Sequence, residues 1–360
     1  MKKILILNRR DIRNPLSGGA EIYTHEIFKR LTDEYEITHF SSSFKRGLGE
    51  ETIDDIHYIR KGGELTTHFF GFVFVAIKGK SYDLIIDQFN GIGFMTFGVK
   101  RSVLLIHQLY GDFWITKLGK AGYLFRFLEK FLLKLYKPKK VITVSESTRK
   151  DLTALGYKAG NIEVILNGID YVQYSEKTKF EPIVMYLGRL VRTKNPEHSI
   201  KAFLMAREQL KDLSLYIVGD GEDRRYLQNK YGYVQGIYFL GFLSDADKDR
   251  WLRRASVLLV PSIREGWGQV VIQANMAGTP VIGYNVEGVR DAVIDGKTGL
   301  LVPRGAFQLL ADKIVNLFND RKALQTLSKN ALEYAKGFSW DTSAIKMKDF
   351  LRNATDDLVS

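Results

Sequence analysis

Short apolar runs alternate with helix-length segments along almost the whole of the 360 residues, and few folds accept that alternation. Residues 4–7, 37–40, 84–87, 103–106, 141–144 and 164–166 read as buried strands. Helices are expected between them over 20–32, 69–77 and 121–137, with a further one capped by Ser145. A second series begins at 183–187 and continues through 215–218, 237–240, 257–260 and 280–282. Strands this apolar lie in parallel sheets covered by helices on both faces, so the fold class is α/β, with two Rossmann-like halves. The length exceeds one ordinary core and agrees with two domains, 1–172 and 173–339, separated at a polar stretch over 173–181. A last helix over 341–351 lies in a tail, 340–360, expected to cross back to the first domain.

Composition removes several function classes. The chain has no cysteine, which excludes disulfides and thiolate metal sites and is compatible with a reducing cytoplasm. No stretch reaches the roughly 20 uninterrupted apolar residues that a bilayer span needs, and the first ten residues read as a strand, not a signal peptide. The formal net charge is +12, and its location matters. Lys117, Lys120, Arg126, Lys130, Lys134, Lys137, Lys139 and Lys140 face the single acid Glu129. Within this block Arg126, Lys130, Lys134 and Lys137 share one helical face, while Leu124, Phe127, Leu128, Phe131, Leu132 and Leu135 form another. Such a helix either packs its apolar face on the sheet with its lysines wet, or meets an anionic membrane surface, with Trp114 and Tyr123 nearby. Nucleic acid is not expected as a partner, since no interleaved aromatic platform or known module accompanies the charge.

In open α/β sheets ligands bind beyond the carboxyl ends of the strands, and the chemistry-bearing residues cluster there. After the strand 257–260 come Glu265 and the triplet Gly266, Trp267 and Gly268, opening a helix over 269–277 that Gly278 terminates. Amides at a helix mouth attract an anion, and side-chain-free glycines allow close approach. Arg189 and Lys194 follow the strand 183–187 and can neutralise a diphosphate. Gly219 and Gly221 follow the next strand, Phe242 the one after, and His107 ends the strand 103–106. Gly18 and Gly19 close the first strand-to-helix loop after Ser17, ahead of Glu21. Asp87, Gln88 and Asn90 leave their strand towards the same end, either to meet acceptor hydroxyls or to cap a turn. Asp245 and Asp247 resemble a metal pair but begin a helix, where capping and dipole compensation explain them, so no metal is expected. His25 and His198 lie within helices and read as structural.

The segment from Glu265 through the glycine-flanked Trp267 resembles the signature of the retaining glycosyltransferases of family 4. One departure stands out: Gln273 occupies the position eight beyond Glu265 where that family carries a second Glu, which usually bonds the ribose diol of the nucleotide. Losing a charge-assisted acceptor there costs about 1–2 kcal/mol and implies weaker or altered donor binding. The resemblance extends to the pair Arg189 and Lys194, to Asn167–Asp170 as the interdomain phrase, and to Phe242 in the segment whose backbone reads the base. It implies the GT-B architecture, two facing Rossmann-like domains with a cleft between them and a C-terminal helix crossing back. It also implies a UDP- or GDP-linked sugar as donor, no further cofactor, and a glycan or lipid-linked acceptor. Glu265 would bind donor-sugar hydroxyls, Arg189 and Lys194 would stabilise the leaving diphosphate, and His107 would hydrogen-bond the transferred sugar. Gly18, Gly19, Gly219, Gly266, Trp267, Gly268 and Gln273 would line the donor. Two other readings stay open: a donor-binding protein without turnover, favoured by Gln273 alone, and a sugar-nucleotide epimerase on the same fold.

Overall fold

The computed structural model describes residues 1–170, 174–177 and 179–356, apart from the side chain of Lys117. These form two compact units, 1–168 with 339–360, and 169–338. The domain boundary expected at 172/173 lies outside the described residues.

The first unit runs β1 (Lys2–Leu7), α1 (Gly19–Phe28), β2 (Tyr35–Ser41), β3 (Glu50–Ile53), β4 (Ile56–Arg60), α2 (Thr67–Lys78), β5 (Leu84–Gln88), β6 (Ser102–Ile106), α3 (Phe113–Leu118), α4 (Gly122–Tyr136), β7 (Val141–Thr143), α5 (Glu146–Ala154) and β8 (Ile162–Val164). Its strands are ordered β3-β4-β2-β1-β5-β6-β7-β8, all pairs parallel except β3 with β4. That edge hairpin was not legible as strand because EETIDDIHYIR is polar, but Asp54 and Asp55 both take left-handed backbone (φ 47° and 59°), as a tight two-residue turn requires. Buried Ile4 to Leu7 and Leu84 to Ile86 fill the middle of the sheet. α1 stops at Phe28, short of the expected 32, because the chain turns at 29–34 to bring Tyr35 into β2. Ser145 caps α5 as expected, its Oγ accepting from the Thr148 amide at 3.2 Å. The last strand lies two residues earlier than expected, at Ile162–Val164.

The second unit runs β9 (Ile183–Leu187), α6 (Pro196–Gln209), β10 (Ser214–Val218), α7 (Arg224–Tyr231), β11 (Ile237–Gly241), α8 (Asp245–Arg254), β12 (Val257–Val260), α9 (Gln269–Met276), β13 (Val281–Tyr284), α10 (Val289–Ala292), β14 (Gly299–Val302), α11 (Phe307–Asn319) and α12 (Arg321–Ala335). The sheet is ordered β11-β10-β9-β12-β13-β14 and every pair is parallel. α13 (Trp340–Asp356) then rejoins the first unit. Ser343 donates to the Leu166 carbonyl at 2.7 Å, Arg30 pairs with Asp341 at 2.6 Å, and buried Trp340, Met347, Phe350 and Leu351 seal the seat. Gly168 is needed here, since a Cβ would run into the Trp340 backbone. Among the described residues no helix is long and apolar enough to cross a membrane.

Candidate functional site

In the second sheet the order reverses between β9 and β12: β10 and β11 build outward on one side, β13 and β14 on the other. Loops at such a switch point diverge and leave a crevice at the carboxyl ends of the strands. Here the loop after β9 and the loop after β12 are tied to each other. The Ile263 amide donates to the Thr193 carbonyl at 3.0 Å, and Asn195 Nδ2 to the Pro261 carbonyl at 3.1 Å. Across this junction the Lys194 ammonium forms an ion pair with the Glu265 carboxylate, whose second oxygen accepts from Ser262 Oγ at 2.7 Å. Both partners are mostly shielded, which strengthens the pair relative to a surface contact. The Glu265 amide donates to the Glu287 carbonyl at 3.0 Å, so the loop after β13 supports it too. Ser262, Asn195 and Glu287 had no sequence signal, because their roles exist only once β9, β12 and β13 are adjacent.

Arg189 sits on the same loop as Lys194, exposed, and its guanidinium makes no ion pair among the described residues. Its carbonyl accepts from the buried Tyr186 hydroxyl at 2.8 Å. Burial, then the negative charge of Glu265, pushes the Tyr186 phenol up, while Arg189 opposes that, so both charges act on one point.

Gly268 caps α9 in left-handed backbone (φ 77°). Among the described residues no hydrogen bond engages the amides of Gly266, Trp267 or Gly268. Trp267 was expected to line the donor, and its ring instead packs in the core against Phe338, 5.5 Å between centroids, leaving its amide as the group available to a ligand. Gln273 is half-buried, one turn beyond Gln269 on α9. Phe242 follows β11 and is 85% exposed, which rules out a core role for its ring. Gly219 has a different reason than expected. Its φ is 131° and a Cβ there would collide with the Gly188 carbonyl, so the close approach it permits is by the loop after β9. Asp245 and Asp247 lie in the first turn of α8, where Ser244 Oγ accepts from the Asp247 amide at 3.1 Å. No cluster of three or more metal-ligating side chains occurs among the described residues.

In the first unit the strand order reverses between β1 and β5. Asn90 Nδ2 bridges the two following loops by donating to Asn8 Oδ1 at 3.3 Å. Gly18 precedes α1, its amide donating to the Glu21 carboxylate at 2.7 Å, and open space surrounds Gly19. Glu21 three positions after the cap is a pattern that sequence alone can reveal. His107 immediately follows β6, buried, edge-on to Tyr23 with ring centroids 5.1 Å apart. Burial pushes its imidazole down to about 4, so it is neutral near pH 7, and its Nε2 has no partner among the described residues.

Asp87 requires correction as an acceptor-side residue. It is wholly buried and accepts from the Phe94 amide at 3.0 Å, Thr96 Oγ1 at 2.8 Å and the Tyr136 hydroxyl at 2.7 Å, so it anchors the turn after β5. Burial holds its carboxyl above the ordinary range. Gln88 is likewise buried, donating to Thr24 Oγ1 at 2.6 Å. The apolar side of α4 is corrected as well. Of the apolar face read from the sequence, Leu132 joins Leu133 and Tyr136 in the core and Leu128 packs against them, whereas Leu124, Phe127 and Phe131 are turned outward.

Residues 17–173 match Glycosyltransferase Family 4, and residues 171–334 match Glycosyl transferases group 1. An uncharacterized glycosyltransferase of Methanocaldococcus jannaschii is 25% identical over 95% of this chain and 96% of its own length. The chain spans about half the length of the D-inositol 3-phosphate glycosyltransferases that it also resembles, as in Kribbella flavida at 29% identity over 60% of this chain. Sucrose-phosphate synthase of Thermosynechococcus elongatus superimposes with a TM-score of 0.82 at 22% identity, covering 98% of this chain and 99% of that one. Anabaena HepE, solved in complex with UDP-glucose, gives 0.73 at 20% identity over 98% and 100%. The fold is that of the GT-B glycosyltransferases. The chain belongs to the family 4, group 1 glycosyltransferases.

Proposed function

We propose that this glycosyltransferase moves a sugar, with retention of configuration and without a metal, from a UDP- or GDP-linked donor to a hydroxyl of a glycan or lipid-linked acceptor. Glycan, glycolipid or surface-polysaccharide assembly is the corresponding setting. The observation that carries the reading is the Lys194 and Glu265 pair joining the loops after β9 and β12 at the reversal of strand order. A bound diphosphate is attracted to Lys194 and to exposed Arg189, and both cations stabilise the charge that grows on it as the glycosidic bond breaks. Displacing Lys194 towards phosphate leaves the Glu265 oxygens to accept hydrogen bonds from sugar hydroxyls, with Ser262 holding the carboxylate in place. The amides of 266–268 at the mouth of α9 add donors for the phosphates. Exposed Phe242 offers a face for the base, and Gln273 one neutral acceptor for the ribose. The acceptor hydroxyl attacks from the face that the leaving group departs and passes its proton to the departing phosphate oxygen, so no dedicated protein base is required. His107, neutral and with Nε2 uncommitted, suits a hydrogen bond to the transferred sugar.

The support from relatives is of the same kind: a solved GT-B structure at 20% identity holds UDP-glucose. The basic helix 121–137 is read as peripheral contact with an anionic membrane at the cytoplasmic face, suited to a lipid-linked acceptor.

Thermal-shift measurements with UDP, GDP, ADP and their sugars identify the donor, since binding to the folded state raises the unfolding midpoint with ligand concentration. With that donor, Glu265→Gln should lower turnover about a hundredfold or more, well beyond what any shift of the unfolding midpoint from the lost Lys194 pair accounts for. Near-normal turnover removes Glu265 from the chemistry. An inverted anomeric configuration in the product, read by NMR, overturns retention, and activity lost on chelation and restored by magnesium overturns metal independence. Donor-induced stabilisation without transfer to any acceptor favours a donor-binding protein.

A further inference from the structure

The helix expected over 69–77 forms as α2, and only its inner side packs on the first unit. Gly71 leaves room for the Phe94 ring, His68 stacks on Phe94 with centroids 4.7 Å apart, and Phe74 packs on Phe40 at 5.1 Å. Its outer side is Phe69, Phe72 and Ile77, with Phe69 65% exposed. Between Thr67 and Lys78 the helix has no acidic residue, and Lys78 is its one lysine or arginine.

α2 and α4 lie on the same face of the first sheet. α2 connects β4 to β5 and α4 connects β6 to β7, both crossing the sheet in the same direction, and right-handed crossovers in one direction share a face. The turn after β5 is wedged between them, with Phe94 against α2 and Phe97 against Tyr136 of α4, 5.8 Å between centroids. Phe97 is itself exposed, as is Phe127 of α4, at 68%. Lys130 and Lys134 are exposed beside Phe127 and Phe131. The one acid of α4, Glu129, is buried and accepts from the Tyr110 and Gly111 amides at 2.8 Å, so neither helix turns an acidic side chain outward.

We propose that α2 and α4 form one docking surface for an anionic lipid bilayer, α4 supplying lysines for the headgroups and both helices inserting aromatic and aliphatic side chains at the acyl boundary. This rests on the reading of helix 121–137 as a membrane contact and adds α2 as its second, mainly apolar arm. Charge complementarity selects the occupant: exposed apolar side chains rimmed by cations match an anionic interface. Self-pairing about a two-fold axis would set Lys130 and Lys134 of one copy against the same patch on the other.

Co-sedimentation of the full chain with vesicles of equal parts phosphatidylglycerol and phosphatidylcholine tests both levels. Wild type binds these vesicles, binds pure phosphatidylcholine less, and keeps part of its binding in salt high enough to shrink the Debye length to about 3 Å. Phe69→Gln with Phe72→Gln, both at exposed sites, leaves the unfolding midpoint unchanged, weakens binding about tenfold or more and makes the remainder wholly salt-sensitive. The chain has no cysteine, so a polarity-sensitive fluorophore on Phe72→Cys reports directly, shifting to the blue on vesicle addition. If wild type binds while the double variant binds equally and the fluorophore does not shift, α2 is excluded and the basic-helix reading survives. If wild type fails to bind, both fall. A dimer that the double variant dissolves, without vesicle binding, makes this face an interface between copies and overturns the proposal.

Discussion

His107 shows how a residue's surroundings decide its chemistry. A histidine at a strand end is recognisable in sequence, but its protonation state is not, since burial is a property of the packed unit. In the folded chain His107 and His68 are both held down to about 4, with burial as the largest cause. The unfolded chain therefore takes up protons at both sites below about pH 6.5 that the folded chain refuses. Their contribution to stability is intact above that pH and declines as pH falls towards 4, at up to about 1.4 kcal/mol per pH unit for each histidine. Urea titrations between pH 7 and 4 should show that slope, and His107→Gln should reduce it. An unchanged slope would mean that His107 takes up its proton as readily in the fold as in the unfolded chain. Gly219 carries the same lesson: its glycine is legible, yet the neighbour that demands it, the Gly188 carbonyl, is 31 positions away in sequence and adjacent only through the pairing of β9 with β10.

At the level of elements, the loop after β1 and the hairpin of β3 and β4 are held by one buried charge cluster that the sequence did not announce. Arg60 of β4 donates to Asp11 at 2.7 and 3.2 Å, Ser41 of β2 donates to Asp11 at 2.6 Å, and Glu51 of β3 pairs with Arg60 at 2.5 Å. Burial pushes the Asp11 carboxyl up, but the bonds from Arg60 and Ser41 outweigh it and leave it below the ordinary range. Such clusters stabilise little against apolar substitutes, but removing one member strands the other. Asp11→Ala should therefore cost about 3–5 kcal/mol in equilibrium unfolding, and Asp11→Leu with Arg60→Met should cost distinctly less. A loss in the double variant equal to or larger than that in the single one would show that leaving Arg60 without Asp11 carries no penalty. The loop that this cluster supports leads into Gly18 and Gly19, so the single variant should also disturb any ligand held there.

At the scale of the whole molecule, α13 makes the first unit discontinuous in sequence. Trp340, Met347, Phe350 and Leu351 are buried in that unit, and each buried side chain of this kind contributes about 1.5–3 kcal/mol. Together they approach the 5–15 kcal/mol that a whole domain typically retains. A chain ending at Ser339 should lose the cooperative unfolding of residues 1–168, detectable as rapid proteolysis there, while 169–338 keeps its own transition. Protection of 1–168 equal to that of the full chain would show that α13 is dispensable. What the amino-acid order determined alone was the alternation of strands and helices, the α/β class, the helical tail, and the placing of Glu265, Arg189, Lys194 and His107 just beyond strands, because these rest on periodicity and turn chemistry within a few residues. The tertiary structure decided which strand-end loops become neighbours, that Lys194 and Glu265 pair across a reversal of strand order, that Asp87 is an anchor, and that α2 and α4 turn aromatic rings outward. Those depend on pairing between strands dozens of residues apart, and local pattern does not encode which partner a buried strand will choose.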